Sequence, residues 1–181
     1  MRVLAVAGSL RSSSLNRELL RLAEAHAPGD VELVYCGGLK EIPPYDEEDE
    51  RVESRAVTDF RDAVRAADVV LFATPEYNGS IPGQLKNALD WASRPDITVG
   101  PFWGKPVAVI SASTGSFGAV WAQQDLKRVL RTLGARVLDT PELALARAHE
   151  RLPRPDDELR AAITATWAAL SRAARPVADA A

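Results

Sequence analysis

RVLAVAGSLRSSSLNRELLRLA, residues 2–23, passes from an apolar run, through a hydroxyl-rich hinge, into an apolar pattern of helical period. A nearly continuous apolar run of this length reads as a strand covered on both faces, as in a parallel sheet. The hinge between strand and helix holds one glycine, Gly8, with Ser9, Ser12, Ser13, Ser14, Arg11 and Asn16. A helix N-terminus presents unpaired N–H groups and the positive end of the helix dipole. Short hydroxyls add donors, and a guanidinium grips phosphate oxygens in a planar fork. The hinge therefore reads as an anion clamp; a serine-rich helix cap with a surface arginine is the plainer reading of the same residues.

Four further β-rich runs lie beyond it: VELVYC at 31–36, DVVLFAT at 68–74, KPVAVISA at 105–112 and ARVLDT at 135–140. Between and after the strands, helical periodicity spans roughly 14–26, 52–67, 82–93, 118–133 and 156–173. Strand–helix alternation at this spacing predicts a doubly wound α/β sheet. No linker or internal repeat interrupts it, so residues 1–175 read as one domain, with 176–181 as a flexible tail. Local punctuation agrees: Pro28 and Gly29 stop the first helix, Pro82 suits a first helical turn, and Gly134 suits a helix C-cap.

Composition narrows the function. The 181 residues are 46% hydrophobic and 26% charged, with net charge −3, which gives no basic footprint for nucleic acid or an anionic membrane. No stretch approaches the roughly 18 apolar residues of a membrane span, and the first residues lack a signal peptide's apolar core. A single cysteine, Cys36, allows no intrachain disulfide and suits a reducing compartment, so a cytoplasmic protein is expected. Two histidines and that cysteine show no metal-ligand spacing, and no metal is expected. The acidic run Asp46–Glu50 reads as a solvated helix start.

Known phosphate motifs do not fit the hinge. A P-loop needs a Gly-Lys pair, and a dinucleotide fingerprint needs glycines where Leu10 and Ser13 stand. After the third strand comes PEYNGSIPG, residues 75–83, a loop stiffened by two prolines with Asn78–Gly79 suited to a turn. Its backbone can read the polar edge of a flat heterocycle, and Tyr77 offers aromatic surface; a structural turn with a packed tyrosine is the alternative. After the fourth strand, SASTGSFG offers the hydroxyls of Ser113 and Thr114, and Gly115 permits close backbone approach. A structural helix cap is again the alternative.

Together, GSLRSSSLN, DVVLFATPEYN and PEYNGSIPGQLKNALDW resemble the NADPH-dependent FMN reductase family, over roughly residues 3–138. EIPPYDEEDE is similar to a stretch common there. The resemblance implies a flavodoxin-like, five-stranded parallel sheet of order 2-1-3-4-5 with helices on both faces. It implies FMN as cofactor and NADPH or NADH as donor substrate, with ping-pong hydride transfer to flavin N5 and two-electron reduction of a quinone, free flavin, azo compound or chromate. It places Ser9, Arg11, Ser14 and Asn16 at the FMN phosphate with Leu15 beside them, and Pro75, Glu76, Tyr77, Asn78 and Gly79 along the ring and ribityl chain. Ser113, Thr114, Gly115 and Ser116 make the third flavin loop, although the family usually has another glycine about where Ser116 stands. It implies a homodimer or homotetramer, with flavin near the subunit boundary. No side chain is expected as a nucleophile. The alternative is a flavodoxin-like electron carrier or redox sensor with little turnover, against which the GSLRSSSLN loop counts. A Ser113, Asp125 or Asp139, His149 hydrolase is disfavoured because SASTG is not GxSxG.

Overall fold

Five of the strands lie side by side in the order β2-β1-β3-β4-β5, all parallel. They are β1 (Arg2–Ala7), β2 (Glu32–Tyr35), β3 (Val69–Thr74), β4 (Pro106–Ala112) and β5 (Arg136–Val137). The computed structural model describes residues 1–52, 54–140 and 142–174. The proposed tail at 176–181 lies outside them. Side chains alternate between the two faces of a strand. Leu4, Val6, Val70, Phe72, Val107 and Val109 therefore pack on one side, against α2 (Arg55–Ala66), α3 (Gly83–Ala92) and α4 (Val120–Thr132). Val3, Ala5, Val69, Leu71, Ala108 and Ile110 pack on the other, against α1 (Leu15–Ala25) and α6 (Asp157–Ala174). The three central strands are buried on both faces, which is why their sequences show no polar alternation.

Helix starts follow the serines. Ser14 accepts a hydrogen bond from the Arg17 N–H to cap α1, and Ser54 accepts from the Val57 N–H to cap α2. Pro82 stands at the cap of α3, one place before its first turn. Gly134 follows α4 at φ 77°, the left-handed stop expected of it. A Cβ there would meet the Trp103 ring at 2.3 Å, so glycine also lets the indole lie against the backbone. The acidic stretch forms a 3-10 turn, Glu47–Arg51, capped by Asp46. Trp91 is core: it is 1% exposed and donates its indole N–H to the Pro43 carbonyl at 2.9 Å.

The fifth strand differs from its expected form. The run at 135–140 yields only β5, paired with Pro106–Val107. The far half of β4 pairs instead with β6 (Ala144–Leu145), through Ser111 and Ala112. A turn in which the Thr140 N–H reaches the Leu138 carbonyl breaks the strand, and the next residue in the sequence is a proline, which brings no N–H to a ladder. A short helix unforeseen in the sequence, α5 (Ala148–Arg151), follows β6. This detour carries residues 143–148 to the C-terminal end of β4, beside the third loop.

Candidate functional site

In the strand order, β1 and β3 are neighbours whose following connections run to opposite sides, the position where open α/β sheets bind ligands. The three loops singled out in the sequence meet there. Their common cavity, about 180 Å³, is lined by Ser9, Arg11, Ser14, Leu15 and Asn16 of the first loop. Pro75, Glu76 and Tyr77 of the second and Ala112, Ser113 and Thr114 of the third complete it. Asn78, Gly79, Gly115 and Ser116 lie outside this lining. Ala112 is the contributor the sequence reading missed, since an alanine ending an apolar strand carries no signal of its own.

The first loop is folded tightly behind its polar face. The Gly8 N–H reaches the Ala73 carbonyl at 2.9 Å, and a Cβ on Gly8 would come within 3.0 Å of the Leu85 side chain. Glycine thus lets the first loop lie against the end of β3 and the start of α3. Ser9 and Ser14 are buried but open into the cavity. Ser9 Oγ accepts from the Arg11 N–H at 3.4 Å, and Ser14 Oγ from Arg17 at 3.3 Å, so both hydroxyl protons stay available to a ligand. The Arg11 guanidinium donates only to the Ser13 carbonyl, at 3.3 Å, and no carboxylate among the described residues pairs with it. No acidic residue occurs from Gly8 to Arg17.

Asn16 does something different. Its Nδ2 donates to the Ala112 carbonyl and its Oδ1 accepts the Ala112 N–H, both at 2.9 Å and buried. The side chain rivets the first loop to the third instead of extending into the cavity. Asn16→Ala would remove both of these hydrogen bonds to the Ala112 backbone groups. With water reaching them through the cavity, unfolding free energy is expected to fall by about 2 kcal/mol, measured by urea titration.

In the second loop, Asn78 and Gly79 take φ 53° and 76°. This is the turn an Asn-Gly pair favours, closed by paired hydrogen bonds between Tyr77 and Ser80 at 2.9 and 3.1 Å. The Tyr77 N–H is consumed there, which leaves the Asn78 and Gly79 N–H groups as donors the turn can offer. Tyr77 itself is 47% exposed. The Glu76 carboxylate accepts the Ala122 N–H at 3.2 Å, on the first turn of α4. In the third loop, Ser113 Oγ accepts the Gly115 N–H at 3.1 Å, and the Gly115 carbonyl accepts the Arg147 N–H at 3.0 Å. Phe117 and Trp121 pack ring to ring, 5.0 Å between centroids, and both stay exposed.

Cys36 lies outside this cavity, at the end of β2. Burial pushes its thiol up to about 12 from the ordinary 9.0. It therefore stays protonated at neutral pH, and iodoacetamide at pH 8 is expected to alkylate it at least about tenfold more slowly than a free thiol. The sign for stability is negative: between 9.0 and about 12 the unfolded chain loses a proton that the folded chain keeps, so stability falls as pH rises through that window. Among the described residues no cluster of His, Cys, Asp and Glu could hold a metal, and no helix is long and apolar enough to cross a membrane.

A doubly wound sheet with an acid-free, hydroxyl- and arginine-lined loop at the β1/β3 switch point defines a mononucleotide-binding α/β protein. Known proteins narrow the class. Residues 1–150 match the family model for NADPH-dependent FMN reductase. An NAD(P)H-dependent FMN reductase of Pseudomonas aeruginosa is 44% identical over 151 residues, 82% of this chain and 79% of that one. A quinone reductase of Escherichia coli is 38% identical over 145 residues, covering 78% and 76%. Among solved structures, the flavoenzyme NAD(P)H:(acceptor) oxidoreductase FerB of Paracoccus denitrificans superposes with TM-score 0.81 at 31% identity, over 94% of this chain and 97% of that one. The chain belongs to the NADPH-dependent FMN reductase family. It is an FMN-dependent oxidoreductase drawing on NAD(P)H.

Proposed function

We propose that the cavity between the three loops is the FMN site and that a quinone is the acceptor. The observation that carries the first part is the Arg11 guanidinium, paired with no carboxylate among the described residues, beside the Ser9 and Ser14 hydroxyls at the start of α1 in a loop that holds no acid. These donors suit a phosphate dianion, and Glu76, the one carboxylate in the lining, is occupied by the Ala122 N–H. Bound there, FMN supplies the two-electron chemistry between NAD(P)H and acceptor. Ser9, Ser14 and Arg11 hold its anionic end. Ser113 and Thr114, which also line the cavity, would flank its middle, and the exposed Tyr77 would lie beside its flat end. The Asn78 and Gly79 N–H groups, in the same turn, would supply fixed dipoles toward the reduced ring. Through the cavity's open side donor and acceptor would bind in turn, so ping-pong kinetics are expected.

A quinone fits this open, aromatic rim, and quinone reductases stand among the chain's relatives. The exposed Phe117–Trp121 pair offers a second copy of the chain an apolar surface, which supports a homodimer or homotetramer as the working form; the single cysteine supports action in the cytoplasm. Titrating the apo-protein with FMN and with riboflavin, which lacks the phosphate, tests the assignment. FMN is expected to bind at least about 100-fold more tightly, the value of two or so charge-assisted hydrogen bonds. Equal affinities would remove the first loop from the role. NAD(P)H oxidation with and without a quinone, measured on the holoprotein, tests the acceptor.

A further inference from the structure

Helix α4 begins without a cap of its own. Its cap residue, Ala119, sits at φ 67° and offers no side-chain acceptor. Glu76, reaching across from the second loop, supplies one at Ala122. One turn further along, the Asp125 carboxylate accepts the Ser80 hydroxyl at 2.6 Å. Residues 122 and 125 share one face of the helix, while Glu76 and Ser80 bracket Tyr77, Asn78 and Gly79. The turn is thus held at both ends by a single helix face.

That face is itself fixed. Gln123 is fully buried, and its Nε2 donates to Ser111 Oγ at 2.9 Å and to the Leu143 carbonyl at 2.7 Å. Ser111 in turn donates to the Gly118 carbonyl. The start of α4 is locked to β4 and to the strand segment beyond it. The Ser80 hydrogen bond holds the Asp125 carboxyl below the usual carboxylate range, and Arg128 lies 3.4 Å from its other oxygen.

We infer that Asp125 is a positioning residue for electron transfer: through Ser80 it fixes the Tyr77–Gly79 turn, and so the aromatic surface and N–H donors beside the ring. The link to the ring rests on the FMN site proposed above. Asp125 touches neither flavin nor substrate in this role, and it works by geometry. An asparagine, which keeps an oxygen acceptor for Ser80, should replace it; an alanine should not.

The test compares wild type with Asp125→Ala, Asp125→Asn, Ser80→Ala and the Ser80→Ala/Asp125→Ala double variant. Hydrogen exchange of the Tyr77 and Ser80 amides in apo-protein is expected to quicken about tenfold in Asp125→Ala and to stay near wild type in Asp125→Asn. The Ser80→Ala and double variants should match Asp125→Ala, because two residues acting through one contact do not add. In FMN-loaded protein, the rate of flavin reduction by NAD(P)H should fall about tenfold in the same three variants, with FMN affinity changed less than about threefold; misplacement of positioning groups costs rate on this scale or more. Exchange unchanged in Asp125→Ala, or single effects that add in the double variant, would overturn the inference, as would failure of Asp125→Asn to rescue. The exchange readout needs no flavin, so a wild-type chain that binds no FMN would refute the site assignment while exchange still decides the brace.

Discussion

Arg11→Ala is expected to raise the dissociation constant for FMN by roughly 10- to 100-fold, the loss of a charge-assisted contact worth about 1.5–3 kcal/mol. The folded state should hardly notice. Arg11 is exposed, its guanidinium makes one long hydrogen bond to Ser13, and it pairs with no carboxylate among the described residues. A change in unfolding free energy within about 0.5 kcal/mol is therefore expected. Riboflavin affinity should be nearly unaffected, since the contact removed belongs to the phosphate. Flavin fluorescence titration of both variants with both ligands separates these terms. A matched loss for FMN and riboflavin would show that Arg11 shapes the ring pocket instead.

Gly118→Ala should have the largest effect on the fold. Gly118 stands at φ 61°, and a Cβ built on it would lie 2.2 Å from the Ala144 carbonyl oxygen and 2.9 Å from the Leu145 nitrogen. Those atoms are backbone of β6, which is paired to the end of β4, so they cannot swing aside as a side chain can. The left-handed backbone costs about 1–2 kcal/mol for a non-glycine residue, and forced overpacking another 1–3. A loss of about 4 kcal/mol is expected in chemical denaturation. Gly79→Ala is the control: its φ is 76°, but nothing lies within 4 Å of the added carbon. It should cost only the backbone share, about 1–2 kcal/mol. Equal losses at the two glycines would mean that β6 yields freely.

Much of the candidate site is legible in the sequence because each of its loops is a local feature. Each follows an apolar strand, and each strand's C-terminal end is fixed by the doubly wound order. Ser14 both caps α1 and lines the cavity, and Ser9 lines it from the same hinge, which is why one local pattern names both. What the sequence hid is long-range. Asn16 reads as one more polar group of the first loop, yet it bonds to Ala112, 96 residues away. Glu76 reads as part of the ring loop, yet its carboxylate caps a helix 46 residues on. The far edge misled for another reason. ARVLDT has strand composition, but pairing needs an uninterrupted ladder, and the chain leaves β4 after Leu138 and returns at Leu143. That detour brings Arg147 onto the third loop, a contact no local pattern announces.

The central claim is that the start of α1 and its serine-arginine loop hold the phosphate of FMN. Purified protein should carry a yellow chromophore that heat releases and mass analysis identifies as FMN, one per chain. Apo-protein should take FMN back, and inorganic phosphate should compete with it. An apo-protein that is folded, yet shows no binding when titrated with FMN, would contradict the account.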